Sequence, residues 1–185
     1  MIKVCIADNY PVVHFGVKSY FKDNAEISIV ANVGNFLMVR DILQTKEIDV
    51  LILDLELEGL ASIFEVKALL KNFPKTKIII FSGLSEQIYA PNAIKAGVSG
   101  FVHKSEKLET LGQSIIKVHQ GKIIMNETVK KNLALIAKQS KSERLYRKLS
   151  NREVEVLRYL SDGKKNHEIA DILKLNEKTI STYKL

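Results

Sequence analysis

The sequence has very few cysteines and no long hydrophobic run. Its 185 residues include a single cysteine, Cys5, so the chain can form no internal disulfide bond, which is typical of a reducing cytoplasm. The longest apolar runs, such as Val50–Leu53 and Ile78–Phe81, have the length of a β-strand and not of a membrane-spanning helix. Met1 leads directly into a predicted strand, without the pattern of a signal peptide. We therefore expect a cytoplasmic protein with one large domain or two small ones.

The sequence also lacks several motifs that would indicate an enzyme. It has no glycine-rich phosphate loop, and its four histidines do not show the paired spacing of zinc ligands. No arrangement of residues suggests a catalytic triad. We therefore expect neither P-loop chemistry nor a zinc site.

The positive charge of the chain is unevenly distributed. Residues 1–120 contain 13 Lys and Arg against 13 Asp and Glu, whereas 121–185 contain 15 against 8, which supplies the whole net charge of +7. A neutral part joined to a basic part indicates a control module attached to a module that meets a polyanion. A basic face that is merely solvated is the alternative.

The first 120 residues alternate between strand and helix signals. Short, continuously apolar strands separated by amphipathic helices predict βαβ units and a buried parallel sheet. We predict a five-stranded, doubly wound, flavodoxin-like α/β domain with right-handed crossovers. The predicted strands are Ile2–Ala7, Ile27–Val33, Asp49–Leu53, Lys77–Phe81 and Ser99–His103, and the helices follow Pro11 and cover Phe36–Gln44, a stretch from Ile63 to Phe73, Glu86–Ala96 and Leu108–His119.

Four polar residues stand at the ends of four predicted strands: Asp8, Asp54, Ser82 and Lys104. A parallel sheet brings such carboxyl ends together in one crevice, where ligands bind. Two acids, a hydroxyl and an ammonium gathered there can hold a divalent cation and a phosphoryl group, because Mg²⁺ prefers oxygen ligands and lysine pairs with phosphate.

The strings around these residues resemble the receiver domain of two-component response regulators: IADN, LILDLELEG, IIIFSG and AGVSGFVHK. The resemblance implies that a histidine kinase or a small phosphodonor transfers a phosphoryl group to Asp54 with Mg²⁺ bound. It also implies that Lys104 pairs with the phosphoryl oxygens. Ser82 and Phe101 would be the hydroxyl and the aromatic ring that reorient together.

The metal ligands implied by the resemblance are Asp8, Asn9, Asp54 and the backbone carbonyl of Glu56. Here the chain departs from the family, which has a second acid where this chain has Asn9. An amide oxygen can coordinate a cation but brings no charge, so we expect weaker Mg²⁺ binding. Acids at Glu56 and Glu58 either restore charge near the metal or point to solvent, and the sequence leaves both open.

From Asn126 onward the strand signal disappears. Apolar residues at helical spacing predict a linker helix to about Lys138, and a polar, highly charged stretch over 139–148 predicts a hinge. We therefore divide the chain into a domain over 1–121, a linker over 122–148 and a second domain over 149–185.

The second domain carries three predicted helices. A capping box formed by Ser150 and Glu153 begins the first, and Gly163 ends it. Asn166 is the predicted cap of the second helix, and Asn176 is the predicted cap of a third that runs to the last residue. Two short helices joined by a three-residue turn are typical of a helix-turn-helix.

This part resembles the LuxR-type helix-turn-helix of NarL/FixJ response regulators, through LSNRE, Gly163, NHEIA and LNEKTIS. The resemblance implies a homodimer that binds double-stranded promoter DNA, with Ser181 and Thr182 reading base edges. The family pattern continues beyond residue 185, so we expect the chain to be truncated within this domain. Phosphate contacts are expected from Lys164, Lys165, Lys178, Lys184 and backbone amides near Thr179.

Together these observations predict a transcriptional response regulator, not an enzyme, that is phosphorylated on Asp54. One alternative is an atypical receiver that acts through protein partners without phosphorylation, because Asn9 replaces an acid. A second is an enzyme of flavodoxin-like fold that uses Asp54 as a nucleophile. A third is a helical protein-binding module in place of the DNA-binding domain.

Overall fold

The computed structural model describes residues 1–126, 129–131, 133 and 151–183. The chain divides into two compact units, Met1–Gln139 and Ser140–Leu185. Several predicted features lie outside the described residues: most of the linker and hinge (134–148), the capping residue Ser150, and Lys184. Among the described helices, none combines the length and the apolar character needed to cross a membrane.

A parallel sheet forms the centre of the first unit. Its strands are β1 (Ile2–Ala7), β2 (Ile27–Val33), β3 (Val50–Leu53), β4 (Lys77–Ser82) and β5 (Gly100–His103). Within the described residues the sheet has five strands in the order β2-β1-β3-β4-β5, and all neighbours are parallel. The predicted five-stranded doubly wound α/β fold is confirmed. The chain order reverses between β1 and β3, which is the topological switch point of such a sheet.

The helices of this unit begin and end at residues with clear local roles. They are α1 (Pro11–Tyr20), α2 (Phe36–Thr45), α3 (Ile63–Asn72), α4 (Glu86–Ala96) and α5 (Leu108–His119). The side chain of Asn35 caps α2 by accepting a hydrogen bond from the Met38 N–H at 2.9 Å. Gly97 ends α4 in the left-handed conformation, with φ of 106°, which a residue with a side chain rarely adopts.

The strands bury both faces of the sheet, as their continuous apolar pattern predicts. In β3, Leu51 and Leu53 belong to the core shared with α2, α3 and α4, whereas Val50 and Ile52 belong to the core shared with α1 and α5. Alternate residues of a strand point to opposite faces, so helices on both sides are needed to cover them. Cys5 is fully buried in β1, and burial raises the pKa of its thiol to about 12.

The second unit is helical over its described residues. It contains α6 (Asn151–Ser161), α7 (Asn166–Leu173) and α8 (Glu177–Thr182), which ends short of the predicted end at residue 185. Ile180 is fully buried, as the helical phase predicts. The small core of this unit comprises Val156, Ile169, Ala170, Leu173 and Ile180.

The helix caps of this unit agree only in part with the sequence-based expectation. Asn176 caps α8 by accepting a hydrogen bond from a backbone N–H of its first turn at 2.9 Å, as predicted. The prediction that Asn166 caps α7 is wrong, because α7 begins at Asn166 and its N-cap is Lys165. Glu168 reaches back to accept a hydrogen bond from the Lys165 N–H at 2.7 Å, which fixes the start of the helix one residue earlier.

Candidate functional site

The four polar residues predicted at strand ends meet at one edge of the sheet. Asp8 follows β1, and Asp54 follows the neighbouring β3. Ser82 is the last residue of β4, one position beyond the predicted strand, and Lys104 follows β5. The carboxyl ends of the strands therefore bring two acids, a hydroxyl and an ammonium into one pocket.

Lys104 joins the two acids. Its Nζ lies 2.7 Å from Asp8 Oδ2 and 2.7 Å from Asp54 Oδ2. Both acids are buried. The ammonium supplies the positive charge with which the two adjacent carboxylates pair in the protein interior. Burial lowers the pKa of Lys104, but hydrogen bonds and attraction from Asp54 and Asp8 outweigh it, and the net result is a raised pKa. Lys104 is therefore charged at neutral pH.

The second oxygen of Asp54 is held from the other side. Ser82 Oγ donates a hydrogen bond to Asp54 Oδ1 at 2.7 Å, and the backbone N–H of Glu56 donates to the same oxygen at 3.3 Å. Ser82 is fully buried. The Asp54 carboxylate is thus fixed in orientation, with a cation on one oxygen and a hydroxyl on the other.

Asn9 contacts the loop that follows Asp54 through both ends of its amide. Its Nδ2 donates a hydrogen bond to the Glu56 carbonyl at 2.6 Å. Its Oδ1 accepts a hydrogen bond from the Glu58 N–H at 2.8 Å. The structure therefore places Asp8, Asn9, Asp54 and the Glu56 backbone together, as the sequence predicts.

The donor set fits a divalent cation only in part. Asp8 and Asp54 offer buried carboxylate oxygens, which suit Mg²⁺. The oxygens of the other two predicted ligands already accept hydrogen bonds: the Glu56 carbonyl from Asn9 Nδ2, and Asn9 Oδ1 from the Glu58 N–H. In the part of the chain that the structure describes, no three His, Cys, Asp or Glu side chains cluster closely enough to hold a metal.

Phe101 lies in β5 with its ring buried, at 3% exposure. The segment after α5 is attached beside it: the Phe101 N–H donates to the Ile124 carbonyl at 3.4 Å, and the Ile124 N–H donates to the Ser99 carbonyl at 2.8 Å. Burial raises the pKa of Glu86 in α4, although hydrogen bonds with Asn126 act in the opposite direction. The segment after α5 therefore contacts both β5 and α4.

The residues predicted to contact DNA lie on the surface of the second unit. Thr179 is partly buried, and its N–H donates to the Asn176 carbonyl at 2.9 Å. Lys184 lies outside the described residues. The remaining predicted residues are exposed: Lys164, Lys165, Lys178, Ser181 and Thr182.

The hydroxyls of α8 already have partners within the protein. Ser181 Oγ donates to the Glu177 carbonyl at 3.1 Å and accepts from Asn166 Nδ2 at 3.2 Å. Thr182 Oγ1 donates to the Lys178 carbonyl at 3.0 Å. A hydroxyl oxygen has two lone pairs, so each can still accept a hydrogen bond from a base edge.

Sequence reasoning missed the contacts of three residues: Tyr10 and His14 beside Asp8, and Asn166 beside Ser181. The Tyr10 N–H donates to Asp8 Oδ1 at 2.8 Å, and its ring centroid lies 5.3 Å from Lys104 Nζ. His14 Nε2 lies 2.7 Å from the Asp8 carbonyl. The position of Tyr10 two residues after Asp8 could have indicated its contact with that acid. The contact of Asn166 with Ser181 could not be predicted in this way, because it depends on how α7 packs against α8.

Comparisons with known proteins agree with this geometry. The family model for the response regulator receiver domain matches residues 4–116, and that for bacterial regulatory proteins of the luxR family matches 147–185. The Fimbriae Z protein of Escherichia coli K12 is 32% identical over 182 residues, covering 98% of this chain and 86% of that protein. The nitrate/nitrite response regulator protein NarP of the same strain is 28% identical over 183 residues, covering 98% and 84%.

A solved structure of RcsB from Salmonella enterica serovar Typhimurium also resembles this chain. It was determined bound to the promoter rprA in the presence of phosphomimetic BeF₃⁻. The TM-score is 0.64 at 26% sequence identity, and the match covers 100% of this chain and 89% of RcsB.

The acid pocket at the switch point and the three-helix unit define a regulator with a receiver domain and a helix-turn-helix domain. The chain belongs to the NarL/FixJ-type two-component response regulators, which carry a LuxR-type DNA-binding domain and regulate transcription.

Proposed function

We propose that Asp54 accepts a phosphoryl group from a histidine kinase or a small phosphodonor, and that this modification controls dimerisation and binding to promoter DNA. One observation carries the proposal. The Asp54 carboxylate is 1% exposed, with Lys104 Nζ and Ser82 Oγ each 2.7 Å from one of its oxygens. A buried acid held this way presents an oriented oxygen nucleophile beside a fixed positive charge.

In the transfer step, an Asp54 oxygen forms a bond to phosphorus while the bond between phosphorus and the donor breaks. The donor group leaves with the bonding electrons. Lys104 stabilises the negative charge on the phosphoryl oxygens during this step, as positioned cations do in phosphoryl transfer. An ammonium has three N–H donors, so Lys104 can hold both acids and still donate to the incoming group.

Mg²⁺ is the cation that this pocket would hold. Asp8 and Asp54 would be its carboxylate ligands, and it would supply further positive charge next to the phosphoryl group. The Glu56 carbonyl would join the set once its hydrogen bond with Asn9 Nδ2 opens. This supports the expectation that Mg²⁺ binds more weakly here than in a receiver with two adjacent acids.

Phosphorylation would change the partners of Ser82. The modified Asp54 carries up to about two added negative charges, which attract the Ser82 hydroxyl toward the phosphoryl oxygens. Movement of Ser82 at the end of β4 would allow Phe101 in the neighbouring β5 to reorient. Because Ile124 pairs with β5, the segment that leaves the receiver would respond to this change and transmit it.

We propose that the second domain binds double-stranded promoter DNA as a dimer. The structure of RcsB bound to the promoter rprA supports the DNA binding by similarity. In a helix-turn-helix the second helix of the motif enters the major groove, and the half-sites of a dimer lie about 34 Å apart. Here α8 would present Ser181 and Thr182 to base edges, while phosphate contacts would come from Lys164, Lys165, Lys178, Lys184 and amides near Thr179.

Labelling with acetyl phosphate tests the proposal. The wild-type chain and Asp54→Asn are incubated with acetyl phosphate and Mg²⁺, and the intact mass is measured. Asp23→Asn is the matched control, because Asp23 is an exposed acid in the turn between α1 and β2. We expect label on the wild type and on Asp23→Asn but not on Asp54→Asn. Gel filtration of the labelled protein then measures whether dimers form.

A second function is favoured by the contacts of Asn9 and Lys104. Lys104 already pairs with Asp8, and the Asn9 amide is already bonded to the loop after β3. The competing proposal is therefore a receiver that works through protein partners without phosphorylation. It predicts no label on the wild type under any phosphodonor while DNA binding persists.

A further inference from the structure

We infer that Asn9 is a positioning residue whose amide holds the loop after β3 by two direct hydrogen bonds, instead of serving as a cation ligand. The inference rests on the proposed function, because that loop carries Asp54 at its start. It concerns how the loop is held, and it replaces the expectation that Asn9 coordinates Mg²⁺ through its amide oxygen.

Asn9 makes two opposed hydrogen bonds to residues 47 and 49 positions further along the sequence. Asn9 Nδ2 donates to the Glu56 carbonyl at 2.6 Å, and Asn9 Oδ1 accepts from the Glu58 N–H at 2.8 Å. A backbone N–H can only donate and a carbonyl can only accept, so these partners define which end of the amide carries oxygen. The amide therefore bridges two backbone groups of one loop.

Asparagine and aspartate side chains have the same length, but only the carboxamide of asparagine can both donate and accept as this bridge requires. In the variant Asn9→Asp, the carboxylate can accept from the Glu58 N–H but has no hydrogen to donate to the Glu56 carbonyl. That carbonyl would then be available to a cation, and the added negative charge would attract one. An amide and an acid at this position thus hold the loop in two different ways, one by direct hydrogen bonds and the other through an ion.

The two hydrogen bonds of Asn9 lead to a prediction about Mg²⁺ affinity. If Asn9 Oδ1 were a ligand, Asn9→Ala would weaken Mg²⁺ binding. If the amide covers the Glu56 carbonyl, Asn9→Ala uncovers it, and Mg²⁺ binding stays the same or tightens. One substitution therefore distinguishes a ligand, whose loss weakens Mg²⁺ binding, from a positioning residue, whose loss does not.

Two measurements on the full chain test the inference. Isothermal titration with MgCl₂ compares the wild type with Asn9→Ala and Asn9→Asp. We expect Asn9→Ala to bind at least as tightly as the wild type, and Asn9→Asp to bind on the order of tenfold more tightly because of its charge. Binding by Asn9→Ala that is severalfold weaker than wild type would overturn the inference.

The second measurement is amide hydrogen exchange of Glu58 by NMR without Mg²⁺. The Glu58 N–H should be protected in the wild type and in Asn9→Asp, and should exchange about fivefold faster in Asn9→Ala, as expected for loss of one hydrogen bond. Asn24→Ala is the control, because Asn24 also accepts backbone hydrogen bonds in an exposed loop but in a different part of the chain. An unprotected Glu58 N–H in the wild type would overturn the inference even if no variant binds Mg²⁺. Neither readout requires phosphorylation of Asp54, so the proposed function can fail independently.

Discussion

The ammonium of Lys104 lies 2.7 Å from Asp54 Oδ2, at the end of the central strand of the sheet. The same ammonium lies 2.7 Å from Asp8 Oδ2, so one cation neutralises part of the charge of two buried acids. Removal of this cation would destabilise the pocket, because buried carboxylates of like charge repel each other. The two ion pairs of Lys104 therefore link the stability of the receiver to the chemistry proposed for Asp54.

Replacing Lys104 by methionine should destabilise the protein by about 3 kcal/mol, since the change leaves Asp8 and Asp54 buried without their cation. Urea unfolding at neutral pH measures this free energy. Lys107→Met is the control, because Lys107 is exposed and close in sequence. Equal loss of stability in the two variants would contradict the role assigned to Lys104.

The stabilisation by Lys104 should depend on pH in one direction. Its pKa is raised in the folded protein, so the folded state holds the proton more tightly than the unfolded state. The contribution is fully present below the unfolded lysine pKa of about 10.4 and is lost as the pH rises through the higher folded value. The difference in unfolding free energy between the wild type and Lys104→Met, measured from about pH 8 upward, should be constant at first and then shrink. A difference that grows with pH would contradict this assignment.

Much of the receiver could be predicted from the sequence because its signals are local. The apolar residues of α5 recur at helical spacing, and Gly97 marks the end of α4. The order of the polar residues at the strand ends then placed Asp8, Asp54, Ser82 and Lys104 in one crevice.

The parts that could not be predicted depend on backbone paths and on packing between elements. The bridge from Asn9 to the Glu56 and Glu58 backbone exists only because the loop after β3 turns back toward β1. The bond from Asn166 to Ser181 likewise depends on the crossing of α7 and α8. Asn166 was predicted as a cap because Asn is common there, but Glu168 holds the Lys165 N–H instead.

Loss of the Ser181 hydroxyl should change which DNA sequences the protein prefers, because Ser181 is exposed on α8 and is proposed to read a base edge. Selection of bound sites from a randomised duplex library compares the wild type with Ser181→Ala. Ser161→Ala is the matched control, because the Ser161 hydroxyl also donates a hydrogen bond to a backbone carbonyl of its own helix, α6. If Ser181→Ala selects the wild-type sites with uniformly lower affinity, Ser181 acts only through its contact with Asn166.

Lys165→Ala should weaken binding to all duplex DNA about equally, because a lysine at a phosphate reads no sequence. The slope of log affinity against log salt should become shallower by about 1 unit. Titration of a labelled nonspecific duplex at several salt concentrations measures this slope. Lys67→Ala, an exposed lysine of α3, should leave it unchanged. An unchanged slope for Lys165→Ala would remove Lys165 from the DNA interface.

The central claim is that Asp54 is the residue that carries the phosphoryl group, and chemical mapping tests it most directly. The wild-type chain is treated with acetyl phosphate and then with borohydride, which reduces an acyl phosphate, and its peptides are sequenced by mass spectrometry. We expect the reduced residue to be Asp54, and we expect no reduced residue in Asp54→Asn. Reduction at Asp8 or at any other acid, or reduction that persists in Asp54→Asn, would contradict it.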